Sequence, residues 1–441
     1  MPKDKYEEAM EYLYGLQRLG IKFGLGNITR VLQSIDSPHE KLPAIHIAGS
    51  NGKGSTAAHL ESILIEAGYR AGFYSSPHFV RFTERIRINR EPIEEEDVVH
   101  WTQAILEALP GLRKGASSGG SLPITFFEFS TAIAMAYFVE QQVDLAILEV
   151  GMGGRLDATN VCHPLLCMIT NISLEHMDFL GNTISKIARE KAGIVKQGVP
   201  VITGVRQRAA ISILEETCHL HEARMYRLGK EFRVRGKPEN FTYDGIHLSV
   251  QGCRTSLRGR HQLRNAALAM AAAELLDQGR YRISDENLLK GLKRAQWRGR
   301  QEWHPGPPQI LLDGAHNPEA MRSLCYSLKR DFHYRRLWVL MGTMKDKDHE
   351  RMVALIAPLV HEFVFCRPAM ERSEDPRILE AQALKLGCNA SVVIDVQRGV
   401  EDLIGRADEG DMICVTGSLF VVGEVIDWMG KNSLQALRSM T

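Results

Sequence analysis

No apolar run in the sequence approaches the roughly 20 residues that a helix needs to cross a bilayer. Its opening stretch, MPKDKYEEAMEYLYGL, is charged and amphipathic and has no signal-peptide core. A membrane-embedded or exported protein is therefore not expected. Neither charge dominates: 54 Lys plus Arg nearly cancel 53 Asp plus Glu, and the net charge of +1 gives no general pull toward nucleic acid or an anionic membrane. No CxxC pair occurs among the eight cysteines, at positions 162, 167, 218, 253, 325, 366, 388 and 414. That argues against a cysteine-based metal site and fits free, buried thiols in a reducing cytoplasm. There is no short-period repeat, and only 115–121 (GASSGGS) approaches low complexity, as a flexible loop. What is present, 44% apolar and 24% charged residues over 441 positions, suits a globular protein of two or three domains.

The first 200 residues alternate short apolar runs with helical patterns, the rhythm of a parallel sheet with helices on both faces. Strands are predicted at 44–48, 71–75, 145–150 and 165–172, and helices at 55–67, 127–140 and 184–195. Residues 231–259 alternate instead around Gly236-Lys-Pro and Asp244-Gly turns, as in a small antiparallel patch, and an Ala-rich helix follows at 262–276. The Pro/Gly-rich stretch 298–308 reads as a linker. Beyond it the alternation restarts, with strands at 309–312, 337–341, 362–365, 391–394 and 412–416 and helices at 318–329, 349–359 and 377–386. The expected fold is α/β: a P-loop-type parallel domain with the antiparallel patch over 1–297, and a Rossmann-like domain over 309–441.

The strongest chemical signal is Gly49-Ser50-Asn51-Gly52-Lys53-Gly54-Ser55, placed between a strand and a helix. Glycines let backbone N–H groups converge on phosphate oxygens, the helix start adds its dipole, and Lys53 adds a point charge. The spacing departs from the strict G-x-x-x-x-G-K-[ST] pattern, since Gly54 follows the lysine. Ligands of open α/β sheets bind beyond the strand C-termini. Those ends carry Ser75-Ser76-Pro77-His78, Glu149 with Gly151-Met-Gly-Gly154-Arg155, and Glu175-His176. Ser55 could offer its hydroxyl to Mg²⁺, and Ser76 and Glu149 suit that ion better than His176 does. Taken singly, Ser76 also suits a turn, Glu149 an ion pair and His176 a helix start. By periodicity Lys191, between Glu190 and Ala192, belongs to a solvated helix face. Asp313-Gly314-Ala315-His316-Asn317-Pro318 ends another predicted strand. Asp313 could bind a ribose and His316 a phosphate, but an Asp-Gly turn with an Asn N-cap would serve structure equally well.

Together these segments resemble the folylpolyglutamate synthase/dihydrofolate synthase family, relatives of the Mur peptidoglycan ligases. The matching motifs are HIAGSNGKGS (46–55), YSSPH (74–78), ERIRIN (84–89), TFFE (125–128), LEVGMGGRLDATN (148–160), ITNISLEHMDFLG (169–181), IAREKAGIVK (187–196), GRHQLRNAALA (259–269), RGRQE (298–302) and DGAHNP (313–318), in family order. Departures are Ser50 for a usual Thr, Met152 for Leu, Glu175 for Asp and Arg298 for Pro. The resemblance implies an ATP-dependent amide ligase that adds L-glutamate to a reduced folate or dihydropteroate carboxylate through an acyl phosphate.

It further implies that Asn51, Gly52, Lys53, Gly54 and Ser55 hold the ATP phosphates, with Asn265, Arg300 and Asp313 on the nucleotide as the two domains close. Ser55, Ser76, Glu149 and His176 would surround Mg²⁺. Lys53, Lys191 (carbamylated, supporting a metal) and His316 would act at the reacting groups. Phe126, Phe127, Glu128, Leu156, Asp157 and Ala158 would line the pterin-bearing substrate, with 24–26 nearby. Small-molecule substrates, no nucleic acid or membrane partner, a cytoplasmic location and a monomer complete the expectation. The competing readings are a Mur-type ligase for another substrate, against which there is no extra N-terminal domain for a UDP-sugar, and a P-loop ATPase that forms no amide.

Overall fold

The computed structural model describes residues 4–20, 22, 24–109 and 123–438. The chain divides into two compact units. The first comprises residues up to 77 with 82–255 and 264–295; the second comprises 78–81, 256–263 and 296 onward. The 115–121 loop expected from sequence lies outside the described residues. No helix among the described residues is long and apolar enough to cross a membrane. All eight cysteines are free, and all but Cys388 are buried.

The first unit is built on β1 (Ala44–Ala48), β2 (Ala71–Tyr74), β3 (Ile86–Ile88), β4 (Glu91–Pro92), β5 (Leu145–Glu149), β6 (Leu166–Ile169), β7 (Val201–Thr203) and β8 (Met225–Arg227). They lie in the order β4-β3-β2-β5-β1-β6-β7-β8. From β2 to β8 the pairing is parallel, while β3 and β4 add an antiparallel edge that the alternation pattern did not reveal. β1, β2, β5 and β6 are buried along their whole length, as strands covered on both faces must be. Helix Phe126–Glu140 packs one face of the sheet, with Tyr74, Ala146 and Leu148 in its core. Helices Ile184–Ala192 and Arg208–Leu220 cover Ala48, Ile169 and Val201.

Among the predicted boundaries that shift, one leaves chain at the sheet's C-terminal edge. β6 stops at Ile169 rather than 172, which frees Thr170–His176 to form a loop. The helix begun at Ile184 ends at Ala192, where Gly193 caps it, three residues short of the predicted end. The expected antiparallel patch is present as β9 (Arg233–Lys237), β10 (Asn240–Asp244) and β11 (Ser249–Cys253).

The second unit holds β12 (Glu302–His304), β13 (Gln309–Leu312), β14 (Leu337–Met341), β15 (Glu362–Phe365), β16 (Asn389–Val392) and β17 (Met412–Thr416), in the order β12-β13-β17-β14-β15-β16. All pairs are parallel except β12 with β13. The Pro/Gly stretch 298–308 thus carries an edge strand. β14 shows why a continuous apolar run suits this sheet: Leu337, Val339 and Met341 enter one core, Trp338 and Leu340 the other. β16 begins two residues before the predicted 391, because a sparsely buried edge strand leaves little apolar signal.

Candidate active site

β1 lies between β5 and β6, so the chain leaving β1 must reach β2 past β5. This is the topological switch where α/β sheets place ligands. The chain turns at Gly49 (φ 149°) and Gly52 (φ 81°) and enters the helix Lys53–Glu66. Both glycines are required by contact as well as by conformation. A Cβ on Gly49 would sit 1.9 Å from Thr170 Oγ1, and one on Gly52 would sit 2.5 Å from Asn265 Oδ1.

The loop after β6 clamps this turn. Asn51 N–H donates to Asn171 Oδ1 at 2.7 Å, Thr170 Oγ1 donates to the Asn51 carbonyl at 2.6 Å, and Ser50 N–H donates to the Asn171 carbonyl at 3.0 Å. Ser50 Oγ in turn accepts the Ser173 N–H at 2.9 Å. The result is a preformed cradle of backbone N–H groups at a helix start. Lys53 arches back over it, its Nζ 2.9 Å from the Gly49 carbonyl and 4.0 Å from Glu149 Oε1. Glu149 ends β5 and is 5% exposed. Ser55 lies in the first helical turn, Ser76 beyond the end of β2, and His176 (φ 45°) ahead of the turn Met177–Leu180. A hydroxyl at the loop and a buried carboxylate at a neighbouring strand end form a donor set that suits a hard divalent cation beside a phosphate.

Lys191 is not on a solvated face. It is 2% exposed, and its Nζ lies 2.7 Å from Glu175 Oε1. Burial lowers its pKa, with Lys53 adding to the shift and Glu175 opposing it. Burial would raise Glu175, yet Lys191 and Lys53 together hold its carboxyl down at about 2. In this buried pair desolvation works against each charge, and each partner supports the charge of the other.

The candidate substrate residues behave differently from one another. Glu128 is committed to a capping box, with its Oε2 accepting from Thr125 N and Oγ1 at 2.8 Å each. Phe126 is 8% exposed, stacked by Tyr14, met edge-on by Phe82 and crossed by the Arg85 guanidinium at 5.0 Å. Asp157 is buried, and its oxygens accept from Met152 N at 2.9 Å, Thr159 N at 3.0 Å and Thr159 Oγ1 at 2.5 Å. Burial pushes its pKa up and these donors restrain the shift. Phe127 and Leu156 stay partly exposed, and Phe127 lies against Gly151, where a Cβ would come within 2.7 Å of the ring. The 24–26 segment is drawn toward the same helix start, since Asn27 Nδ2 donates to the Pro123 carbonyl at 3.2 Å.

In the second unit, Asp313 follows β13 and accepts from Gln301 N at 3.0 Å and Ala315 N at 2.9 Å. Burial raises its pKa to about 6 against the lowering effect of Arg300. Arg300 reaches the Asp313–Gly314 turn, where a Cβ on Gly314 would come within 2.6 Å of Nη1. His316 Nδ1 lies 2.8 Å from the Gly314 carbonyl, an acceptor only, so that nitrogen carries the proton. Asn317 caps the helix Pro318–Arg330. The Asp-Gly turn and Asn cap are real, and the buried carboxylate beside Arg300 comes in addition to them.

The chain matches the Mur ligase middle domain over residues 47–273 and the Mur ligase glutamate ligase domain over 293–419. A Bacillus subtilis protein named dihydrofolate synthase/folylpolyglutamate synthase is 36% identical over 428 residues, covering 95% of this chain and 98% of that one. This chain belongs to the same family. Among solved structures it resembles Escherichia coli FolC in complex with DHPP and ADP (TM-score 0.87, 29% identity, 96% and 98% of the two chains). It also resembles a bifunctional folylpolyglutamate synthase/dihydrofolate synthase with Mn, AMPPNP and L-glutamate bound (TM-score 0.84, 29% identity, 96% and 98%).

With the family and the geometry together, the groups that the sequence left unmarked become visible. Thr170 and Asn171 shape the phosphate cradle but read as the tail of a strand, because nothing in an apolar run marks its last turn. Glu175, expected at a strand end and as a departure from Asp but without a partner, is the ion partner of Lys191. His46 and Thr159 sat inside recognised motifs without a role.

Proposed function

We propose that this chain is an ATP-dependent ligase that joins L-glutamate to the carboxylate of a reduced folate or dihydropteroate. The observation that carries the reading is the Gly49–Ser55 cradle with Lys53 folded over it beside buried Glu149. Family members hold ADP, an ATP analogue and L-glutamate. A carboxylate is a poor electrophile. Its oxygen attacks the γ-phosphorus of ATP and ADP departs, leaving an acyl phosphate. The glutamate amine then adds to the acyl carbon, and phosphate leaves as the amide forms.

In this reading Gly52, Gly54 and Ser55 present backbone N–H groups to the phosphates, Asn51, its own N–H held by Asn171, bounds the cradle, and Lys53 swings from the Gly49 carbonyl to the transferring group. Ser55, Ser76, Glu149 and His176 would hold Mg²⁺, which neutralises phosphate charge when bound. Asn265, Arg300 and Asp313 are assigned to the nucleotide, and His316, protonated on Nδ1, to the reacting phosphate. Lys191 suits carbamylation, because burial favours the neutral amine that reacts with CO₂. The product carries negative charge beside Glu175, and so calls for a cation there. Phe127 and Leu156 line the acceptor, with Phe126, Glu128, Asp157 and Ala158 shaping that surface from behind. The protein acts as a cytoplasmic monomer without nucleic-acid or membrane partners.

The test is mass spectrometry of products from MgATP, L-glutamate and either dihydropteroate or tetrahydrofolate, with ADP followed in parallel. One glutamyl increment per ADP on either acceptor is the expected result. ADP release with neither acceptor extended would overturn the reading in favour of an ATPase or a ligase for another substrate.

A further inference from the structure

His46 sits in the middle of β1, fully buried, opposite Leu148 of β5 and Cys167 of β6. Its Nε2 lies 2.7 Å from Thr159 Oγ1, and its Nδ1 has no hydrogen-bond partner among the described residues. An unmet buried nitrogen is a cost that an apolar side chain in this strand would avoid. Filling the core does not account for a histidine here.

The proton count along the line gives it a direction. Thr159 has one hydroxyl proton and lies 2.5 Å from Asp157 Oδ1. Asp157 already accepts backbone N–H groups on both oxygens, from Thr159 on Oδ1 and from Met152 on Oδ2. A carboxylate loaded in this way is an acceptor, so the threonine proton goes to it. His46 must then donate from Nε2. Burial holds the imidazole neutral, with its pKa near 3, so the same tautomer serves at any working pH.

Resting on the reading of Leu156 as acceptor-lining, we infer that His46 is a positioning residue: through Thr159 and Asp157 it fixes the 151–159 loop that presents that side chain. Asp157 serves as the pin of the loop. Neighbouring contacts support a loop whose placement matters. Arg155 N–H donates to the Glu190 carbonyl at 2.8 Å, and Asn160 Nδ2 donates to the carbonyls of Arg155 and Gly193. Glu149 itself is held in the β5 ladder, so drift of the loop beyond it would reach the acceptor side before the phosphate cradle.

The test compares Thr159→Val and His46→Leu with Thr159→Ser and His46→Gln, which keep a hydroxyl and a donor. Steady-state kinetics are measured with ATP and with the acceptor, and amide hydrogen exchange is followed over 151–159. Thr159→Val and His46→Leu should raise KM for the acceptor at least tenfold and speed loop exchange at least tenfold, with KM for ATP changed less than twofold. Thr159→Ser and His46→Gln should bring both readouts back to within threefold of the parent. If His46→Leu does not fold, the Thr159 pair decides. Unchanged loop exchange in Thr159→Val, or equal rises in both KM values, would overturn the inference. A parent protein that extends neither acceptor, with exchange still accelerated in Thr159→Val, would uphold the pin and remove only the acceptor reading.

Discussion

A lysine between glutamate and alanine on an amphipathic helix gives no sign in sequence of where it points, and Lys191 shows what that conceals. Its helix buries Ile187, Ala188, Lys191 and Ala192 together, so a charged side chain shares the inner face. Only the resemblance singled it out; the spacing itself favoured water. Asp313 is the complementary case, a carboxylate whose turn chemistry was legible and whose burial was not. Its folded pKa of about 6 lies above the 3.8 of a free aspartate, so the folded chain binds the proton more tightly. Its contribution to stability is therefore full below about 4 and is lost as pH rises through 6, a swing on the order of 3 kcal/mol. In the proposed role the ionised form is the one that would accept from a ribose hydroxyl. KM for ATP should accordingly rise as pH falls below 6, and in Asp313→Asn that rise should vanish while KM stays high throughout. A KM for ATP flat from pH 5 to 8 in the parent protein would remove Asp313 from the nucleotide site.

At the scale of elements, legibility followed the length of the apolar run. β1, β13, β14, β15 and β17 coincide with their predicted ranges, because each is an apolar run ended abruptly by a turn residue or a charge. β3, β4, β7, β8 and β12 were not foreseen: each is two or three residues long, too short to establish a period, and β7 escapes notice although it is fully buried inside the sheet. The helix starting at Phe126 is apolar nearly all round, so periodicity could not phase it, but its capping box could have dated its first turn. Thr125 and Glu128 satisfy each other in a buried setting. Thr125→Ala should cost about 1–2 kcal/mol, the upper part of the capping range, because the buried Glu128 carboxylate loses a donor. Urea unfolding should show a lower midpoint with an unchanged slope. Thr125→Ser should recover most of the loss. Equal losses for the two variants would mean that the methyl group, and not the cap, sets the stability.

For the whole molecule, motif order carried more information than any element. Ten short segments in family sequence pointed to one reaction, although the spacing within each left alternatives open. The division into units was less legible: residues 78–81 and 256–263 belong with the later part of the chain, and no shift in composition marks them. Each unit has buried clusters on both faces of its own sheet, so each should unfold as its own cooperative step. The proposed nucleotide contacts lie in both units, Lys53 and Asn265 in one and Arg300 and Asp313 in the other. A ligand that binds only folded protein adds RT ln(1 + [L]/Kd), about 2.7 kcal/mol at a hundredfold excess over Kd. Calorimetry with a non-hydrolysable ATP analogue should therefore raise both transitions, and Lys53→Ala should reduce the rise in both. If only the first transition moved, Arg300 and Asp313 would lose their assignment to ATP while the cradle at Gly49–Ser55 kept its own.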